Sequence, residues 1–124
     1  MNVVSWFEIP VKDMKRARAF YTKVLGHTLS DLPSPMPGLE MAGFPWEQNA
    51  PHAAGALVKG EGRTPHADSV LVYFQCQDDL SNELGRVEAN GGKILTPKVP
   101  IGPWGFVAHV LDTEGNRIGL ASPK

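Results

Sequence analysis

The chain has 124 residues, 42% of them hydrophobic and 20% charged, with twelve Lys and Arg against thirteen Asp and Glu. That is ordinary composition for one compact domain, and the scattered positive charge offers no basic stripe for phosphates, so nucleic acid is not an expected partner. No apolar run approaches the roughly 20 residues that span a bilayer, and Met1-Asn2 leads straight into strand-like sequence with no signal-peptide pattern; no membrane partner and a cytoplasmic location are expected. Cys76 is the single cysteine, which excludes an internal disulfide or a Cys-pair metal site and leaves a small buried hydrophobe as its simplest role.

Taken in order, Val3 to Ile9 alternates as a strand, with Val4, Trp6 and Glu8 on one face and Val3, Ser5, Phe7 and Ile9 on the other. Pro10 closes it, because proline cannot donate to a ladder. Asp13 is placed to cap a helix in which Met14, Ala17, Phe20, Tyr21 and Val24 form one apolar stripe, expected to lie on the face of Phe7 and Ile9. Lys12, Lys15, Arg16 and Arg18 then fall on a solvated face, and Gly26 supplies the stop. Residues 30–38, SDLPSPMPG, hold three prolines and read as a loop. Leu39 to Phe44 and Ala53 to Lys59 are strand candidates joined through a connection that carries Trp46, and GEGRTPHAD at 60–68 reads as a linker.

From Ser69 the pattern starts again. Val70, Val72, Phe74 and Cys76 share one face and Leu71, Tyr73 and Gln75 the other; Asp78 or Asp79 caps a helix bearing Leu80, Leu84 and Val87, and Gly91-Gly92 ends it. Strands follow at Lys93 to Val99, Phe106 to Leu111 and Arg117 to Ser122, separated by the PIGPWG loop with Trp104 and by a turn at Asp112 to Asn116. Sliding the sequence along itself by 66 residues lays Asp13 on Asp79, Met14 on Leu80, Tyr21 on Val87 and Gly26 on Gly92. The chain is thus expected to be α+β, strand–helix–three strands written twice, with modules at about 1–60 and 69–124. Halves of this size bury too little surface to be stable alone, so a shared core or a homodimer is expected.

A tandem βαβββ pattern with the FYTKVLG helix end and DTEGNRIGL near the C-terminus resembles the vicinal oxygen chelate superfamily, which includes glyoxalase I, extradiol dioxygenases and bleomycin-resistance proteins. EIPVKD, NGGKILTPKVPI and GNRIGL are similar to its small bacterial glyoxalase-related branch. The resemblance implies a single domain over 1–124 whose two sheets curl into a cup enclosing a site. It also implies metal ligands on the first and last strand of each module, and the matching positions here are Trp6, Val72, Gly119 and either Gly55 or Ala56. None of these supplies a donor, so no metal cofactor is expected unless Glu8 with His109 or His52 forms a shifted site.

The expected function is therefore binding of a small, partly apolar molecule in an aromatic-lined cup. Trp6, Phe74, Trp46, Trp104, Val72 and Gly119 are the candidate binding residues, the tryptophans reading equally as core or interface packing. Glu8 and His109 are the candidate catalytic residues, Glu8 as a general acid or base if the cup desolvates it, or otherwise as an ion-pair partner of Arg117. The face on which His109 lies is open, because both alternating sets of its strand are equally apolar. A sequestering binder without catalysis is the alternative, and a metal-dependent lyase of the glyoxalase I kind is disfavoured by the vacant positions.

Overall fold

The computed structural model describes residues 2–34 and 36–124; Met1, and Pro35 of the proline-rich loop, lie outside the described residues. Two four-stranded mixed sheets follow one another along the chain. The first contains β1 (Trp6–Pro10), β2 (Ser30–Leu32), β3 (Glu40–Gly43) and β4 (Ala54–Lys59) in the order β1-β4-β3-β2, with β1 parallel to β4. The second repeats this as β5-β8-β7-β6, from β5 (Val72–Gln75), β6 (Lys93–Pro100), β7 (Phe106–Leu111) and β8 (Arg117–Ser122), with β5 parallel to β8. This is the tandem βαβββ arrangement expected from the repeat. Residues Ser30–Leu32, read from their neighbouring prolines as loop, instead pair with β3 as a short edge strand.

The first helix, α1 (Met14–Leu25), forms for the local reasons its sequence announces. The Asp13 side chain accepts from the backbone N–H of Arg16 at 3.0 Å, and Gly26 takes a left-handed φ of 79° while its N–H bonds Thr22 O. Met14, Ala17, Phe20, Tyr21 and Val24 are all buried, against Phe7, Ile9 and Leu57 of the first sheet and Val110 and Ile118 of the second. One core therefore spans both modules, as two marginal halves require.

The second helix is not the continuous one the spacing of Leu80, Leu84 and Val87 predicts. It breaks into α2 (Ser81–Leu84) and a 3-10 turn at Glu88–Asn90. Gly85, a poor helix former, stands at the break, and the next residue, Arg86, turns its guanidinium to Val24 O, with bonds of 3.1 and 2.8 Å. Leu80 and Val87 are nonetheless fully buried.

The turn at Asp112 to Asn116, which carries no predicted role, clasps the two modules together. Glu114 Oε1 accepts from the backbone N–H groups of Lys12 and Asp13 at 2.8 Å each, and its carboxylate pairs with Arg16 through bonds of 2.7 and 3.0 Å. Asn116 donates to Pro10 O at 2.8 Å. Asp112 accepts from the Tyr21 hydroxyl at 2.6 Å, so Tyr21 does more than pack. Of the basic residues expected on a solvated face, Arg16 is in this clasp and Arg18 pairs with Asp31. Among the described residues no helix is long and apolar enough to cross a membrane.

Candidate functional site

The edge strands β1 and β5 border one cleft of about 820 Å³, within the size range of small-molecule sites. Its floor is aromatic. Phe7 and Phe44 lie 5.7 Å apart between ring centroids, and Phe74 packs edge-on to Phe7 at 5.9 Å. Such tilted and edge-to-face pairs are rigid apolar surface. Trp6 stands at the rim, 41% exposed, on the face of its strand opposite Phe7, as period-two alternation requires.

Glu8 shares that face, and its environment differs from both predicted ones. Its partner is Arg63 of the linker rather than Arg117, and the Trp6 indole N–H donates to its other oxygen at 3.2 Å. The Arg63 guanidinium, assisted by Trp6 and against the opposing effect of burial, holds the Glu8 carboxyl below its ordinary range. The rise in pKa expected from desolvation alone is not found, because a cation stands within bonding distance and Glu8 is a paired carboxylate.

In the second sheet the two faces are exchanged relative to expectation. Phe74, expected on the open face, turns to the helices and joins Phe7, Tyr21 and Phe44; it reaches the cleft only as part of its floor. Val72 shares that helix-facing side and also borders the cleft. The residues on the open face are Tyr73 and Gln75. Matching strands by face pairs Phe7 with Phe74, an offset one greater than the 66 that aligns the helices. One residue of slip sends every side chain to the other face.

Tyr73 makes the most specific polar contact of this face. Its hydroxyl lies 2.7 Å from Nε2 of His109 on β7, although β8 runs between β5 and β7. The reach depends on Gly119, which is level with both residues: a methyl group there would overlap the Tyr73 ring. His109 is thus placed on the open face, with Tyr73 rather than Glu8 as its partner. Burial, and then the charge of Arg117, hold its pKa below the ordinary histidine range, which favours the neutral imidazole at pH 7. Trp46 and Trp104 are 64% and 79% exposed on their loops and do not border the cleft.

A divalent metal needs three or four donors, and the open-face residues of the first and last strands do not fit one. They include Trp6 and Glu8 on β1, Ala54 and Ala56 on β4, Tyr73 and Gln75 on β5, and Arg117, Gly119 and Ala121 on β8. Among the described residues no three His, Cys, Asp or Glu side chains are grouped to hold an ion, in the expected or a shifted site. Cys76 is buried, and burial, reinforced by Glu83, pushes its thiol up to about 12, which makes it a poor nucleophile.

Comparison with known proteins agrees with this architecture. TnmS3, an antibiotic binding protein from Streptomyces sp. CB03234, is 26% identical, with 100% of this chain covering 98% of that one at a TM-score of 0.66. The trypanothione-dependent glyoxalase I of Leishmania major shares the fold at 19% identity and a TM-score of 0.70, over 99% of this chain and 88% of its own. Two mycobacterial relatives, from Mycobacterium bovis and Mycobacterium tuberculosis, both called "Putative glyoxylase CFP32", are 27% identical over 94% of this chain. The chain spans only 44% of their length. A family model described as Glyoxalase/Bleomycin resistance protein/Dioxygenase superfamily matches residues 3–120, and the chain belongs to that superfamily.

Proposed function

We propose that the chain binds a small, partly apolar organic molecule in the cleft between β1 and β5, without a metal and without acid–base chemistry at Glu8. The observation that carries this reading is the cleft itself, a preformed cavity of about 820 Å³ floored by Phe7, Phe44 and Phe74 and rimmed by Trp6. Preformed apolar concavity with few polar groups is what small-molecule binding uses. The pairing of Glu8 with Arg63 favours a polar anchor over a proton carrier, and so a sequestering binder over an enzyme. The likeness to an antibiotic binding protein over the full chain supports the same choice. The half-exposed Tyr73 and Trp6 are suited to burial in a homodimer, and a lone buried cysteine suits the reducing cytoplasm.

A thermal-shift panel of aromatic antibiotics and metabolites tests the proposal, with Ala54→Trp as a variant that fills the cleft. A ligand present at a hundred times its Kd stabilises the fold by about 2.7 kcal/mol, an upward shift in Tm on the order of 10 °C. That shift is expected in the native chain and in Glu8→Gln, and is expected to vanish in Ala54→Trp. Equal shifts in Ala54→Trp would place binding elsewhere. Turnover of a bound ligand that Glu8→Gln abolishes would restore the enzymatic reading.

A further inference from the structure

Among the described residues, two charged side chains border the cleft, Glu8 and Arg117, and they are not equivalent. Glu8 is neutralised by Arg63. Arg117 has no ion pair or side-chain hydrogen bond among the described residues, whereas Arg16, Arg18 and Arg63 each hold a carboxylate and Arg86 a carbonyl. Arg117 lies on β8 two residues before Gly119 and so on the same open face, beside the Tyr73–His109 pair. Among the described residues the unpaired charged side chain at the cleft is therefore the Arg117 guanidinium, a planar fork of donors that matches a carboxylate.

We propose that Arg117 and Tyr73 form an anion-recognition site in the cleft, positioned by His109 across Gly119, so that the ligand is an apolar molecule carrying a carboxylate. This rests on the reading of the cleft as a binding site and adds the chemical class of its occupant. Arg117 forms the ion pair. His109, as a neutral imidazole with its proton on Nε2, donates to the Tyr73 oxygen and leaves the Tyr73 hydroxyl proton free for the carboxylate. His109 is a positioning residue here, because it reaches the ligand only through Tyr73. Gly119 makes the arrangement possible by leaving the space over β8 in which the Tyr73 ring lies.

The test compares 2-naphthoate with 2-naphthamide, alike in shape and different in charge, by isothermal titration. The native chain is expected to bind the acid at least about tenfold more tightly than the amide, since a charge-assisted bidentate pair contributes more than neutral hydrogen bonds. Arg117→Gln is expected to remove the preference by weakening the acid more than the amide, and Arg117→Lys to keep part of it. Tyr73→Phe and His109→Phe are expected to lower the preference by about threefold or more, whereas His109→Gln, which retains an N–H donor, keeps most of it. Equal affinity for acid and amide overturns the anion site and leaves the cleft a binding site. A preference that survives in Arg117→Gln overturns the assignment to Arg117. Failure of both probes to bind overturns this inference together with the binding reading on which it rests. Far-ultraviolet circular dichroism of each variant separates lost contacts from lost fold.

Discussion

Replacing Glu114 by Gln tests how the two modules are held together. The Glu114 side chain is fully buried and accepts five hydrogen bonds, from the N–H groups of Lys12 and Asp13, twice from Arg16, and from the Thr113 hydroxyl. Burial works to raise its pKa, and Arg16, the two backbone N–H groups and Thr113 outweigh it, holding the carboxyl at about 2 against an ordinary 4.5. At about 1.4 kcal/mol for each pH unit, that corresponds to about 3 kcal/mol of stability at neutral pH. The folded pKa is the depressed one, so this contribution is complete above about 4.5 and is lost as the pH falls from there toward about 2. Glu114→Gln keeps one acceptor oxygen, places an amide against donors, and removes the charge facing Arg16.

Urea unfolding followed by tryptophan fluorescence at pH 7, 5 and 3 measures the effect. The expected result at pH 7 is a loss of about 3 kcal/mol, seen as a midpoint lowered by about 1–2 M. The gap between native chain and variant is expected to narrow as the pH falls below about 4.5, because the native chain then loses what the variant never had. An unchanged midpoint at pH 7, or a gap of constant size down to pH 3, would refute the reasoning.

Tyr21→Phe removes the buried hydroxyl that bonds Asp112 and is expected to cost about 1.5–3 kcal/mol, read from the same urea curves; Asp112 keeps its bonds from Glu114 and Asn116. Gly55→Ala places a methyl group where the Phe7 ring lies, so it is expected to lower both Tm and ligand affinity by displacing Phe7 from the cleft floor; unchanged affinity would show that Phe7 does not shape the site. Cys76 is expected to react with a thiol reagent at pH 8 only as fast as the chain unfolds, since its thiol is buried and its pKa stands at about 12. Labelling in the native state that saturates within minutes would contradict this placement.

What the sequence discloses is what short-range chemistry determines. The helix from Met14 to Leu25 was legible because its stripe lies within it and its cap, Asp13, and stop, Gly26, directly flank it. The strands β7 and β8 were legible for the same reason, as alternating runs between turn residues. The facing of β5 was not, because the offset of 66 is set by the helix and the strand preceding it is displaced by one residue. Composition alone cannot arbitrate between Tyr73 and Phe74 as the core residue. The site was missed where it depends on long-range pairs: Arg63 with Glu8 is 55 residues apart and Tyr73 with His109 is 36. One usable signal was present: a glycine within a strand often marks close approach of another group, and Gly119 carries the Tyr73 ring.

The clasp at Asp112 to Asn116 has a consequence for the order in which the molecule is completed. Pro10 O and the N–H groups of Lys12 and Asp13 obtain these partners only from residues about a hundred positions later in the chain. On a growing polypeptide the first module can gather its strands and helix, yet its strand-to-helix corner stays hydrated until the final hairpin emerges. Unfolding runs the same dependence backwards. Opening the last hairpin releases the first helix's leading turn, so both ends of the chain are expected to lose amide protection together, as a single cooperative unit.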